Sequence, residues 1–359
     1  MKVTDKLTVL MNDREVGQLR IGPSGKGLVF QYSASWLGTG FSISPLKLPL
    51  KPDTFIAPEE PFNGNFGVFE DSLPDGYGQY LLNRVLRKVG IDERALTPIQ
   101  RLSIVGSSGM GALRYIPESF VGEAKSLPSL DTLQQMALDV LSEKSADDAD
   151  ILYFNSGNSG GCRPKCLMRD DEGDWIVKFR HTFDPDDMGI SEFQCNQLAT
   201  RCGIDVPDFK IIDGKYFTTK RFDIDHGERL HTVTASGLLD SSIRMPSLDY
   251  NILLKLTGFL TQSPEQVEQM FRRMVFNVLI QNKDDHAKNF SFICKDGIWK
   301  LSPAYDLTTV PEGYNGEHAT TVNNQGSPTL EDMVAAAKSI RIRDDRARAI
   351  IGEIKDIVC

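Results

Sequence analysis

The chain has 359 residues, 40% of them hydrophobic and 25% charged, a balance that excludes a disordered protein and leaves room for two packed lobes or domains. A net charge of -9 and a pI near 5.2 argue against autonomous binding to nucleic acid, which needs clustered Lys and Arg, so any DNA contact is expected to come through a partner. The polar opening Met1-Lys2-Val3-Thr4-Asp5-Lys6 lacks a signal-peptide core, and no apolar run has transmembrane length. The six cysteines show no C-x-x-C pair or companion histidines at zinc spacing, which leaves the expectation of a cytoplasmic protein without thiolate-bound metal or membrane association.

Leu7 to Met11 and Glu15 to Ile21 read as strands joined by a turn at Asn12-Asp13. Around Phe66-Gly67-Val68-Phe69 the pattern shifts, and Asp75 begins a helix whose Leu81, Leu82, Val85, Leu86 and Val89 keep helical spacing until Gly90. The stretch Gly106-Ser107-Ser108-Gly109-Met110-Gly111-Ala112-Leu113 could cradle phosphate, but without a strand-to-helix context it reads better as a tight turn.

A polar stretch from Ser142 to Asp150 reads as a linker or surface loop before a second glycine-rich loop, Asn155 to Lys165. This loop lies beside a predicted hairpin, Lys165 to Met168 and Trp175 to Phe179, so amides at Gly160 and Gly161 can approach phosphate oxygens. It carries two hydroxyls, Ser156 and Ser159, and Cys162 is the one cysteine singled out for reactivity. In the second strand Trp175, Val177 and Phe179 share one face and leave Lys178 on the other, where it can pair with nucleotide phosphates. Ser191-Glu192 opens a helix, with Glu192 either an ion-pair partner for Lys178 or a helix-start carboxylate favoured by the dipole. Lys210 to Ile212 and Tyr216 to Lys220 pair about Asp213-Gly214, and from Asp249 the chain is mainly helical, ending in Leu330 to Ala337 and Asp344 to Val358.

The most informative segment is Asp284-Asp285-His286-Ala287-Lys288-Asn289, followed by a hairpin and then Asp306. Ser263-Pro264 starts a helix with an apolar stripe of Val267, Met270, Phe271, Met274, Val275, Val278 and Leu279, which delivers the string from a buried element. Phe290 to Cys294 and Ile298 to Leu301 pair about Asp296-Gly297, which should bring Asn289 and Asp306 to the same end. An amide oxygen and a carboxylate side by side can share Mg2+ on a nucleotide's phosphates, while Asp284, five residues before Asn289, can receive the proton of an attacking hydroxyl.

With these residues in place the sequence resembles the HipA-like serine/threonine kinases, the toxins of bacterial toxin-antitoxin pairs, over nearly its whole length. The resemblance is carried by Phe69-Glu70-Asp71-Ser72-Leu73-Pro74-Asp75-Gly76, Gly109-Met110-Gly111-Ala112-Leu113, Ser159-Gly160-Gly161-Cys162-Arg163-Pro164-Lys165, Asp284 to Asn289, and Tyr305-Asp306-Leu307. It implies an α+β, atypical protein-kinase-like two-lobed fold: an N-terminal subdomain over 1–120, a mixed N-lobe over 121–224 and a helical C-lobe over 225–359. It implies Asp284 as catalytic base, Asn289 and Asp306 as Mg2+ ligands, and ATP contacts from Lys178, Gly160, Gly161, Lys165 and Lys288. His286 would lie by the nucleotide or tie the loop to the core, and Phe222 would pack near adenine. It further implies a HipB-like helix-turn-helix antitoxin as partner, an aminoacyl-tRNA synthetase as the kind of protein substrate, and autophosphorylation of a loop serine, with Asn158 where that serine aligns and Ser156 and Ser159 on either side. The alternatives are a kinase of the same fold with a target outside translation, and a catalytically weak co-repressor module; the presence of Lys178, Asp284, Asn289 and Asp306 together argues against the latter.

Overall fold

Alternation of Leu7, Val9 and Met11 with polar neighbours makes β1 (Lys6–Met11), and Asn12 and Asp13, at φ of 45° and 64°, close the tight turn into β2 (Arg14–Ile21) that their short polar side chains favour. The computed structural model describes residues 5–23, 25, 27–119, 128–145, 148–156 and 160–359. The chain divides into two units, Met1–Ile190 with Lys210–Thr232, and Ser191–Phe209 with Val233–Cys359. Segments 1–120 and 121–224 thus share the first unit for most of their length, whereas residues 191–209 belong to the second.

In the first unit β3 (Leu28–Tyr32), β4 (Thr54–Ile56) and β5 (Leu113–Ile116) complete an antiparallel sheet in the order β4-β3-β2-β1-β5. Its apolar face meets α2 (Gly67–Glu70), which follows α1 (Ala34–Thr39), through Phe69, whose ring lies 5.3 Å from Phe30 and 6.2 Å from Tyr115. Then come α3 (Gly76–Lys88) and α4 (Pro98–Val105), the latter started by a Thr97–Gln100 capping box with Pro98 in its first turn. Leu81, Leu82, Val85 and Leu86 of α3 are buried as their spacing predicts. Val89 is not: it is the C-cap residue and stands 58% exposed, because the helix ends before the stripe comes round again.

Two helices absent from the sequence reading, α5 (Leu130–Leu141) and α6 (Ala149–Ser156), join α3 in covering a second sheet. That sheet runs β6 (Lys165–Asp170), β7 (Gly173–Lys178), β9 (Tyr216–Lys220), β8 (Phe209–Ile212), with the turn at Asp213-Gly214 at positive φ as expected. Leu133, Ala137, Leu152, Val177, Phe179 and Tyr216 meet in its core. The polar stretch Ser142 to Asp150 runs from the C-cap of α5 into α6, which already includes Ala149 and Asp150. A small ribbon, β10 (Ile224–Asp225) and β11 (Glu228–Arg229), follows β9, and Asn12 donates to both Glu228 and the Arg229 carbonyl.

His231 opens β12 (His231–Thr234), is 1% exposed, and donates from Nε2–H to the Ile43 carbonyl at 2.8 Å. Burial pushes its pKa from 6.5 down to about 4, so the folded chain keeps it neutral where the unfolded chain protonates it. Its stabilising share is complete above pH 6.5 and is lost as pH falls towards 4, a difference of about 3 kcal/mol. His231→Gln should therefore lose stability less steeply between pH 6.5 and pH 4 in denaturant titrations followed by circular dichroism; a slope equal to that of the wild type would refute the assignment.

The second unit is built from α7 (Met188–Arg201, from Ser191 onward), α8 (Ala235–Leu239), α9 (Tyr250–Thr261), α10 (Pro264–Leu279), α11 (Leu330–Ser339) and α12 (Asp344–Val358). Ser263 caps α10 by accepting from the Gln266 amide, and Val267, Met270, Phe271, Met274 and Val275 are buried, each full burial contributing about 1.5–3 kcal/mol. Val278 and Leu279 are only partly buried, while Arg273, Phe276 and Asn277 are buried in their stead. Strand β13 (Leu248–Asp249) precedes α9, β14 (Ser291–Lys295) and β15 (Ile298–Leu301) form the expected hairpin, and β16 (Thr320–Thr321) pairs in parallel with β13. Asp296 and Gly297, at φ of 51° and 81°, make the hairpin's tight turn. Among the described residues no helix is long and apolar enough to cross a membrane.

Candidate active site

Helix α10 ends at Leu279, and Gln281 at φ 54° turns the chain into the Asn282 to Asn289 loop. Asp285 is 1% exposed and anchors this loop. Tyr250 Oη–H donates to its Oδ2 at 2.9 Å, His318 Nδ1 lies 3.0 Å from the same oxygen, and the Thr320 amide donates to Oδ1 at 3.2 Å. The β13–β16 pairing brings Thr320 into reach, and the Thr320 hydroxyl also donates to the Asp285 carbonyl. Asn277 Nδ2 donates to Tyr250 Oη at 3.0 Å and Asn282 Nδ2 to Asn277 Oδ1 at 3.1 Å, which extends the chain of paired polar groups into α10. Burial and the neighbouring Asp285 charge push the Tyr250 hydroxyl well above its ordinary pKa, so it stays a donor.

Asp284 is exposed, directly beside buried Asp285. The Asp284 carbonyl accepts from Asn289 Nδ2 at 2.8 Å, and the Asn289 amide donates to the His286 carbonyl at 2.8 Å, so Asn289 folds back onto its own loop. His286 is half-buried, and its Nδ1 has no hydrogen-bond partner among the described residues. Lys288 gives its carbonyl to Tyr305 Oη–H at 2.6 Å, and Tyr305 Oη also meets the Ser291 hydroxyl, which fixes the segment before Asp306 to the start of β14.

Asp306 itself sits at φ 52°, a left-handed conformation that aspartate tolerates better than most residues. Its carbonyl accepts from Asn282 Nδ2 at 3.4 Å. Asn289 and Asp306 line one small cavity of the second unit with Asp285, Arg273, Asn277, Asn282 and Tyr305. The hairpin does bring these two oxygen-bearing side chains together; Asp284 is outside the lining. Arg273, 3% exposed, donates to the Ser302 carbonyl, and burial lowers its pKa to about 10, which leaves it a cation at neutral pH. Among the described residues no group of three or more His, Cys, Asp or Glu forms a metal cage. One carboxylate and one amide suit Mg2+, which keeps waters and phosphate oxygens in its shell rather than an all-protein ligand set.

The glycine-rich segment belongs to the first unit. Ser156 is not a loop residue: it closes α6, is 1% exposed, and donates its hydroxyl to the Tyr153 carbonyl at 3.2 Å. Ser159 and Asn158 lie outside the described residues. Gly161 donates its amide to Asp75 Oδ1 at 2.6 Å and accepts from the Tyr77 amide at 3.1 Å. Lys165 is buried with its Nζ on the Gly160 carbonyl, and the register of β6 and β7 sets Lys165 directly across from Lys178. Lys178 Nζ stands 5.6 Å from the centre of the Phe217 ring. Trp175, Val177 and Phe179 are buried on the opposite face, as the alternation predicts.

Arg163 is held by Asp184 at 2.9 and 3.1 Å, Cys162 is exposed, and Phe222 is half-buried beyond β9. Gly111 at φ 70° commits its amide to Asp223 Oδ2 at 2.8 Å, and Arg229 binds the Ser107 and Gly109 carbonyls, so the earlier glycine stretch is the tight turn rather than a phosphate cradle. Glu192 lies inside α7, past its first turn, so the helix-start reading does not hold; it is buried in the second unit, whereas Lys178 is in the first.

Sequence comparison matches residues 7–116 to the HipA N-terminal domain and residues 157–358, more than half of the chain, to the HipA-like C-terminal domain. Two curated relatives carry provisional kinase names: one from Sinorhizobium fredii is 28% identical over 172 residues, 42% of this chain and 41% of that protein. The other, from Haemophilus influenzae, is 28% identical over 147 residues, 35% of this chain and 43% of its own length, so the chain spans less than half of either relative. Among solved structures, HipA of Shewanella oneidensis, in complex with HipB and operator DNA, superposes with a TM-score of 0.73 at 18% identity, covering 97% of this chain and 88% of that one. The α+β architecture expected from the sequence is therefore the HipA fold, and with its two domain types in succession the chain belongs to the HipA family.

Proposed function

We propose that the chain is an ATP- and Mg2+-dependent serine/threonine protein kinase, the toxin of a toxin-antitoxin pair that arrests growth by phosphorylating a host protein, with an aminoacyl-tRNA synthetase as the target class. The observation that carries the reading is the shared cavity of Asn289 and Asp306 beneath a loop whose Asp285 is locked inside and whose Asp284 faces out. Asp284 accepts the proton of a protein hydroxyl as its oxygen attacks the γ-phosphorus and the bond to ADP breaks. Mg2+ held by Asn289 and Asp306 would neutralise charge on the phosphates. Lys178, Lys165 and the Gly160 amide bind phosphate oxygens beside Gly161, whose own amide is held by Asp75; His286 and Lys288 lie by the nucleotide, and Phe222 packs near adenine. A HipB-like helix-turn-helix antitoxin restrains the toxin and supplies DNA binding, a reading supported by the Shewanella complex and by the charge of -9. If a loop hydroxyl takes an inhibitory phosphate, it is Ser159, because Ser156 is buried in α6.

Asp306→Asn tests the metal assignment while keeping a residue that accepts φ near 52°. Calorimetry should show ATP affinity in Mg2+ reduced at least about tenfold, with chelation weakening the wild type to the same level and the variant hardly further. Affinity insensitive to both changes would overturn the metal site.

A further inference from the structure

The N-terminal domain grips the glycine-rich segment through a contact that joins residues 86 apart in sequence. Asp75 stands at the N-cap of α3 with extended backbone angles, φ -122° and ψ 175°, yet makes no capping bond to its own helix. Its carboxylate instead accepts the Gly161 amide at 2.6 Å, a short charge-assisted bond. The Tyr77 amide, one of the donors that a helix start leaves unpaired, returns a bond to the Gly161 carbonyl at 3.1 Å. Gly76 permits this approach. At φ 44° it has no Cβ, and one built there would stand 2.5 Å from the Gly161 carbonyl oxygen and 2.9 Å from Cys162 Cα. The gripped segment passes at once to Lys165, whose Nζ binds the Gly160 carbonyl and whose strand position faces Lys178.

We infer that Asp75, Gly76 and Tyr77 are positioning residues for nucleotide binding: the N-terminal domain holds the Gly160–Gly161 backbone where it meets phosphate, so ATP affinity is built partly outside the C-terminal domain. The inference rests on the kinase reading above and deepens it. Its specific content is that the start of α3 is shaped for the loop and not for its own capping. Asparagine at 75 keeps a neutral acceptor in the same place, whereas alanine removes it.

The test is ATP–Mg2+ calorimetry on the full chain, with melting temperature and amide exchange of the 160–163 segment measured alongside. Asp75→Ala should weaken ATP about tenfold, the size of one charge-assisted bond, and speed exchange of the Gly161 amide. Asp75→Asn should recover most of the affinity, and Gly76→Ala should weaken ATP at least as much as Asp75→Ala. An Asp75→Ala protein that binds ATP within twofold of wild type, or whose loss of affinity merely follows a general loss of melting temperature without recovery in Asp75→Asn, would overturn the clamp while leaving the kinase reading intact. Absence of ATP binding by the wild type would overturn the kinase reading and the clamp with it.

Discussion

Asp284→Asn should reduce phosphoryl transfer by about 10^3-fold or more while ATP–Mg2+ still binds, because the substitution keeps the side chain's shape and removes only its capacity to take a proton. The backbone carbonyl of the exposed Asp284 accepts from Asn289 Nδ2, a contact that survives the change. Growth arrest should disappear in cells that express the variant, and phosphosite mass spectrometry against wild-type-expressing cells would then reveal the target. Transfer persisting near the wild-type rate would remove Asp284 from the chemistry. Asp285 cannot take its place without structural change, since its carboxylate is 1% exposed and occupied by Tyr250, His318 and the Thr320 amide.

The largest stability effect is expected one residue later. Asp285→Ala deletes the acceptor for Tyr250 Oη–H, the His318 ring and the Thr320 amide, and leaves buried donors without water to replace it. Breaking such a network costs about 3–5 kcal/mol, enough to lower the melting temperature by roughly 10 °C. Scanning calorimetry decides it: a melting temperature within about 2 °C of wild type would show that the loop is anchored elsewhere. Neighbouring aspartates should thus separate cleanly, Asp284 losing chemistry with little loss of stability and Asp285 losing stability first.

Local chemistry explains what could be read from the sequence. The turns at Asn12-Asp13, Asp213-Gly214 and Asp296-Gly297 are legible because few residue types accept positive φ, and all three lie there. The buried face of α10 is legible from periodicity, and the hairpin after Asn289 from its Asp296-Gly297 turn, which together place Asn289 and Asp306 on one cavity. Periodicity fails where the core is polar. Arg273, Asn277 and Asn282 are buried because they bond to one another's surroundings and to Ser302, and a pattern that equates polar with exposed passes over them. Tyr250, His318 and Thr320 reach Asp285 from 33 to 35 residues away, a distance no local window spans. Ser156 reads as loop because its serine and asparagine neighbours resemble loop composition, while the apolar run Ile151 to Phe154 that holds it in α6 lacks a clear helical stripe. The Asp75–Gly161 contact has no sequence signal beyond its presence in a family motif.

The facing lysines of β6 and β7 carry a consequence for the energy landscape of the first unit. Natural sequences mostly relieve local conflict, and here two like charges are paired across the strands, with Lys165 Nζ on the Gly160 carbonyl and Lys178 Nζ 5.6 Å from the centre of the Phe217 ring. Each lysine's place on the hairpin is therefore tied to its own contacts, and a change at one is felt by the other across the strand pair. The two strands are coupled through their charges as well as through their backbone ladder, so that substitutions at Lys165 and Lys178 should not act independently on the first unit.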